Sequence, residues 1–398
     1  MIELARRVKQ VKPSATLSIT AKAASLRAEG KDIISLSVGE PDFDTPTHAR
    51  SAAVEAIEAG LTRYTPVAGI PELRQSIADK LRKDNGLDYE PADILVSTGG
   101  KQCIYNLMQA ILNPNDEVII PAPFWVSYPD MALLAGGRPV IVQTRADADF
   151  KLAPEQLAAV MNASTRLLVL NSPSNPTGMA YSAEDFAALG EVLKEHPRVT
   201  VMSDEMYEKI LFDGKAFASF AAANPHLHER TITVGGVSKA YCMTGWRIGY
   251  AAGPAHVIKA MVTVQSQSTS NPCSISQHAA LAALTGPQDE LHGMVQTYER
   301  RRDWLVARLN EMPGFDCLRP DGAFYVFPGI QVLQDKASFK DDVAFCDWLL
   351  DQAGVALVPG TAFGAPSHVR FSYAVSQETL EEACNRIEDA ILRRRISD

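Results

Sequence analysis

The chain has 398 residues, of which 46% are hydrophobic, enough to fill more than one core. Its 38 basic and 47 acidic residues give a formal charge of −9, which excludes a general attraction to nucleic acid or an anionic membrane. No apolar run approaches the ~18 residues of a membrane helix, and six cysteines without a CxxC pair or a secretory leader read as reduced thiols in a cytoplasm.

In chain order, the basic stretch 1–12 could open a transit peptide, but it runs straight into the segment that follows and reads better as a folded arm. Short β-rich runs come next, at 33–38, 94–98, 117–121, 139–143, 166–171, 199–204, 231–235 and 248–252. Helical patterns separate them. In 102–112, for example, Ile104, Leu107, Met108, Ile111 and Leu112 fall on one stripe. Such alternation predicts a mostly parallel sheet covered on both faces, with ligands at the carboxyl ends of its strands. From about Thr297 the texture changes to a charged helix over 299–310, a strand over 322–327 and another over 368–373. A last helix puts Leu380, Ala383, Cys384, Ile387 and Ile391 on one face. The expected division is an arm with part of a small domain over 1–45, a large α/β domain over 46–292, and a smaller α+β domain over 293–398.

Five segments could carry chemistry, and four lie just past predicted strands. In Ser97-Thr98-Gly99-Gly100-Lys101 a strand ends in two glycines where a helix begins; a helix N-terminus with close backbone approach suits an anion, although a tight turn explains the glycines as well. Asn171-Ser172-Pro173-Ser174-Asn175-Pro176-Thr177-Gly178 has a backbone fixed by two prolines, either of which could be cis, and so is able to aim Asn175 or simply to turn. In Ser203-Asp204-Glu205-Met206-Tyr207 the acid could be a helix N-cap, or Asp204 and Tyr207 could share a cleft from a first helical turn. Lys239 stands among small and apolar residues in the run from Gly236 to Gly249. Desolvation there lowers a lysine pKa from about 10.4 and makes a nucleophilic, Schiff-base lysine; the plainer reading is a surface lysine with Arg247 in an ion pair. In His368-Val369-Arg370-Phe371-Ser372-Tyr373, Arg370 is either an exposed strand arginine or a fork for a carboxylate.

Taken together and in this order, the segments resemble a class I aminotransferase of the fold-type I pyridoxal-phosphate superfamily. The resemblance covers nearly the whole chain, from Lys12-Pro13-Ser14-Ala15-Thr16 and Gly39-Glu40-Pro41-Asp42-Phe43 to Arg370, and is nearest the bacterial aspartate aminotransferase subgroup. It implies pyridoxal 5′-phosphate held covalently by Lys239, which would also shuttle the substrate's proton. Asp204 would face the ring nitrogen, Tyr207 and Asn175 the ring oxygen, and Trp125 the ring face. The phosphate would lie on Gly99, Gly100 and Lys101, with Ser238, Arg247 and, from the other subunit of a homodimer with shared active sites, Tyr64. Arg370, Gly39 and Asn175 would hold the substrate α-carboxylate, while Lys101, Ser14 and Thr16 would read a distal one. No metal is implied. Gly236 stands where the family often has Ser, and Cys242 where it has Ser, Ala, Gly or a similar small residue. Aspartate with 2-oxoglutarate is the implied substrate pair, with prephenate or an aromatic amino acid as the rival. A lyase or decarboxylase of the same fold would share Lys239 and Asp204 but fits Arg370 and Trp125 less well. A ligand-sensing regulator would need a preceding DNA-binding module, and a nucleotide enzyme a GxGxxG or GxxxxGK[ST] loop.

Overall fold

The computed structural model describes residues 2–11, 13, 15–336 and 339–396. Strand β1 (Ile34–Ser35) is followed by β2 (Ile94–Ser97), β3 (Glu117–Ala122), β4 (Arg138–Gln143), β5 (Thr165–Asn171), β6 (Thr200–Asp204), β7 (Thr231–Gly236) and β8 (Gly249–Ala252). The last seven form one sheet in the order β2-β8-β7-β6-β5-β3-β4. Neighbours from β7 to β4 run parallel, and β8 runs antiparallel to both of its neighbours. Two reversals restore the direction, so β2, β5, β6 and β7 all end at the same edge. That edge carries the site.

Burial on both faces explains the continuous apolar strands. In β5, Leu167 and Val169 pack with Ile104, Leu107 and Met108 of the helix Gly100–Ile111. Leu168 and Leu170 point the other way, into Phe186, Leu189 and Leu193 of the helix Ala183–Lys194. Each such side chain contributes about 1.5–3 kcal/mol relative to exposure. The second helix starts where Ser182 accepts from the Asp185 N–H and the Asp185 carboxylate accepts from the Ser182 N–H, a reciprocal cap.

Beyond this sheet come β9 (Tyr325–Val326), β10 (Val355–Ala356), β11 (Val358–Pro359) and β12 (Val369–Ser372). Strands β11, β12 and β9 form an antiparallel sheet, and β1 pairs with β10 in parallel. The strand expected over 33–38 therefore pairs for only two residues, and outside the large sheet. Leu36 still bonds Ala356 O and receives Ser372 N–H, but Val38, Gly39 and Glu40 then leave the ladder to line a cavity. The helix expected near 299 begins earlier, at Asp289, and continues to Glu311. Residue 292 therefore lies within this helix. The face of the last helix, Gln377–Ile396, is buried as its spacing predicts. No helix among the described residues is long and apolar enough to cross a membrane.

Candidate active site

A cavity of about 360 Å³ opens at the carboxyl edge of the large sheet, and segments distant in sequence line it. Gly100 and Lys101 follow β2, Asn175 follows β5, Asp204 ends β6, and Ser238 and Lys239 follow β7. Trp125, Arg247, Arg370, Gly39 and Thr16 complete the wall. Both Ser172–Pro173 and Asn175–Pro176 are cis, and Asn171 Oδ1 accepts the Asn175 N–H at 2.8 Å. Asn175 lines the cavity, and its Oδ1 accepts from Arg370.

The floor is buried and its charges are perturbed. Burial pushes the Asp204 carboxyl up to about 6, opposed by Tyr128, whose hydroxyl donates to Oδ2 at 2.6 Å, and by the Met206 N–H at 3.2 Å. Lys239 is pushed down to about 8, first by desolvation and then by the charge of Arg370; its Nζ donates to Gly39 O at 2.6 Å. The Tyr207 and Tyr325 hydroxyls share a hydrogen bond of 2.9 Å, and burial raises both phenols. Arg370 is 2% exposed between the rings of Tyr325 and Phe363, at 4.6 and 5.0 Å. It donates to Asn175 Oδ1 at 2.9 Å and Ser37 O at 2.6 Å, but its buried Nε has no partner. A fully desolvated guanidinium with an open donor is built to receive an anion.

The rim differs. Gly99 has φ +86°, and a Cβ there would stand 2.5 Å from Arg247 Nη2; one at Gly100 would meet the Met206 methyl. The two glycines thus bring backbone N–H groups of a helix N-terminus beside a guanidinium, a cradle for a phosphate. Arg247 is held with φ +59° by a bond from Nη1 to Thr244 O. Lys101 reaches over the Trp125 ring at 4.8 Å, and desolvation, then Arg247, lowers its pKa. Glu40 accepts from the Thr244 hydroxyl, tying the Gly39 loop to the Lys239 loop.

Of the residues singled out in the sequence, two stand apart. Tyr64 is 91% exposed and lines a separate open cleft with Thr269, Ser270 and Asn271. Ser14 lies outside the described residues. The first helical turn expected after Asp204 is instead a run of turns: Glu208 N–H bonds Glu205 O, and Ile210 N–H bonds Tyr207 O, with no helix. Three further groups were not foreseen. Tyr128 follows Trp125 at i+3, Tyr325 sits in the strand expected over 322–327 with no role attached to it, and the Glu40–Thr244 pair has no local signature.

The family model described as aminotransferase class I and II matches residues 31–387. The chain belongs to this family. Among relatives of this aminotransferase, the aspartate/prephenate aminotransferase of Cereibacter sphaeroides is 55% identical over 95% of this chain and 96% of its own. The aspartate aminotransferase of Bacillus subtilis is 49% identical over 97% and 98%. The solved aspartate aminotransferase of Rhizobium meliloti superposes with a TM-score of 0.95 at 48% identity, covering 99% of this chain and 100% of that one. That of Thermus thermophilus with maleate gives 0.92 at 47%, covering 98% and 100%. The fold is therefore that of the fold-type I transferases, as the resemblance implied.

Proposed function

We propose that this aminotransferase carries pyridoxal 5′-phosphate on Lys239 and catalyses L-aspartate + 2-oxoglutarate = oxaloacetate + L-glutamate, as a cytoplasmic homodimer with shared sites. The observation that carries the reading is Arg370, buried and with Nε unpaired, facing the same cavity as a lysine lowered to about 8 and an aspartate raised to about 6. When bound, the cofactor supplies an aromatic system that takes up the electron pair left by removal of a substrate proton. The residues supply the rest. Asp204, aimed by Tyr128, favours a protonated ring nitrogen by the opposite-charge effect. Tyr207 and Asn175 would donate to the ring oxygen, and Trp125 would cover the ring face. Gly99, Gly100, Ser238 and Arg247 would hold the phosphate. Arg370, with Asn175 and Gly39, orients the α-carboxylate, and the Lys239 amine, close to neutrality, takes and returns the proton of the substrate's Cα.

A second cation at the cavity rim, Lys101, favours a dicarboxylic substrate, and Thr16 of the arm lines the same cavity. Maleate, in the Thermus complex, is likewise a dicarboxylate. Prephenate is the second reading, favoured by the name of the Cereibacter relative. The purified protein is expected to be yellow, and borohydride reduction with peptide mapping should find the cofactor on Lys239. Cofactor on another lysine would end the assignment. A panel of amino donors, with 2-oxoglutarate and prephenate as acceptors, decides between the two substrate readings.

A further inference from the structure

On the opposite side of the turn from Asp204 lies a second polar cluster that the proposed chemistry does not use. Successive residues leaving a strand point to opposite faces. Asp204 enters the cleft, and Glu205, 2% exposed, turns away from it. Glu205 accepts from Ser219 Oγ at 2.6 Å, Ser203 Oγ at 2.9 Å and Asn85 Nδ2 at 3.2 Å. Asn85 also donates to Glu208 at 2.7 Å and accepts from Lys80 at 2.6 Å, and Lys80 closes the ring by pairing with Glu208. At the margin, Lys209 pairs with Asp84 at 2.6 Å.

The two halves of this clasp have unusual backbones. Lys80 ends the helix Pro71–Lys80, and the chain then widens into a π turn, Leu81–Asn85, whose Leu81 carbonyl receives the N–H of Gly86, five residues on. Such widened turns are rare and concentrate at functional sites; here the wider winding points Lys80 and Asn85 inward together. Opposite them, residues 205–209 belong to neither helix nor strand; a few backbone bonds, such as Glu205 N–H to Val234 O and Glu208 N–H to Glu205 O, brace them, and the side chains of the clasp add to that hold. Burial, opposed chiefly by Ser219, pushes Glu205 up to about 7. Buried ion pairs are poor stabilisers compared with well-packed apolar side chains, and the best reason to keep one is geometric specificity.

The geometry points to Glu205 as a positioning residue for transamination, the centre of a clasp that fixes the turn aiming Asp204 and Tyr207 into the cleft. This rests on the roles proposed above for those two residues. The test uses the holoenzyme with Glu205→Gln and, should that variant fold poorly, Ser219→Ala, which removes one hydrogen bond and no charge. Glu388→Gln, which weakens a distant ion pair with Arg308, is the control. Glu205→Gln is expected to lower kcat by about ten- to a hundredfold with KM little changed. The pH midpoint of the bound cofactor's absorption band should move, and cofactor affinity measured on the stripped protein should fall. Ser219→Ala should act in the same direction, about three- to tenfold. If both variants lower only the melting temperature, as the control does, and leave kcat and the absorption midpoint unchanged, the clasp is a structural network and the inference is overturned. Asp204→Ala measured in parallel separates the two levels: near-normal turnover there would remove the site assignment itself, whereas its loss beside an unaffected Glu205→Gln would remove only the clasp.

Discussion

The floor and the rim of the cavity are both polar, yet they are built in opposite ways. Asp204, Tyr207 and Arg370 are 6%, 4% and 2% exposed, whereas Lys101 and Arg247 remain open to solvent and Tyr64 is 91% exposed. Charges interact several-fold more strongly in a dry interior than at a wet surface, so the same residue types do different work in the two places. On the floor, desolvation moves an aspartate up to about 6 and a lysine down to about 8, which sets an acid and a base on either side of neutrality. At the rim, where desolvation and Arg247 lower the pKa of Lys101, an anion has several partners, and losing one leaves the others in place.

The largest expected effect is therefore on the floor. Asp204→Ala should lower turnover by orders of magnitude with the fold intact, because the ring nitrogen loses the partner that keeps it protonated. Its stability effect has the opposite sign. With its carboxyl raised from the usual 3.8 to about 6, Asp204 contributes stability that is fully present below pH ~4 and is lost as pH rises through about 6. That difference is on the order of 3 kcal/mol. Stripped of cofactor, Asp204→Asn should melt above the parent at pH 8, with the gap shrinking below pH 5. Calorimetry of both proteins at the two pH values checks this, and equal melting at pH 8 would show that the floor is wetter than its geometry indicates.

An intermediate effect is expected where the rim meets the substrate. Lys101→Ala should cut kcat/KM for aspartate and 2-oxoglutarate by roughly ten- to a hundredfold, with little change for alanine or phenylalanine. Equal losses for acidic and neutral substrates would assign Lys101 to the phosphate instead. The smallest effect belongs to the most exposed group. Tyr64→Phe should weaken cofactor retention by about three- to tenfold, and hybrids of that subunit with Lys239→Ala should regain parental cofactor retention in the one site assembled from intact parts. Hybrids whose active site holds cofactor as weakly as the Tyr64→Phe homodimer would mean that each chain builds its site alone.

The sheet and the turns at its carboxyl edge were legible in the sequence because their signals are local. Apolar runs such as 94–97 and 167–170 need no partner to be recognised, and Gly99, Asn175, Asp204 and Lys239 each stand where such a run ends. What remained hidden depends on contacts between distant segments. Nothing local marks Tyr128, and it gains a role only when the fold brings its hydroxyl to Asp204. Tyr325 lies in an apolar strand and gains its meaning from Tyr207 and Arg370. The run 33–38 has the alternation of a strand, but Gly39 is needed at the Lys239 amine, and the chain leaves the ladder to bring it there. Residues after Asp204 carry helix-compatible side chains, yet Glu205 and Glu208 are pulled backward by Lys80 and Asn85, and a tertiary pull of that kind overrides local preference.

The bonds that close the floor join residues far apart along the chain. Lys239 to Gly39 spans 200 positions, Arg370 to Asn175 spans 195, and Arg370 to Ser37 spans 333. Each requires a large loop to close before the contact can form, and pairings of this separation are slow to find. Local helices and the adjacent parallel strands can assemble first, leaving a chain with most of its secondary structure and a cleft whose walls still stand apart. In a refolding experiment, far-ultraviolet circular dichroism should thus recover ahead of catalytic activity, which waits on the arrival of Arg370 and Gly39 at the edge of a sheet already formed and, in a shared site, on subunit association and cofactor uptake.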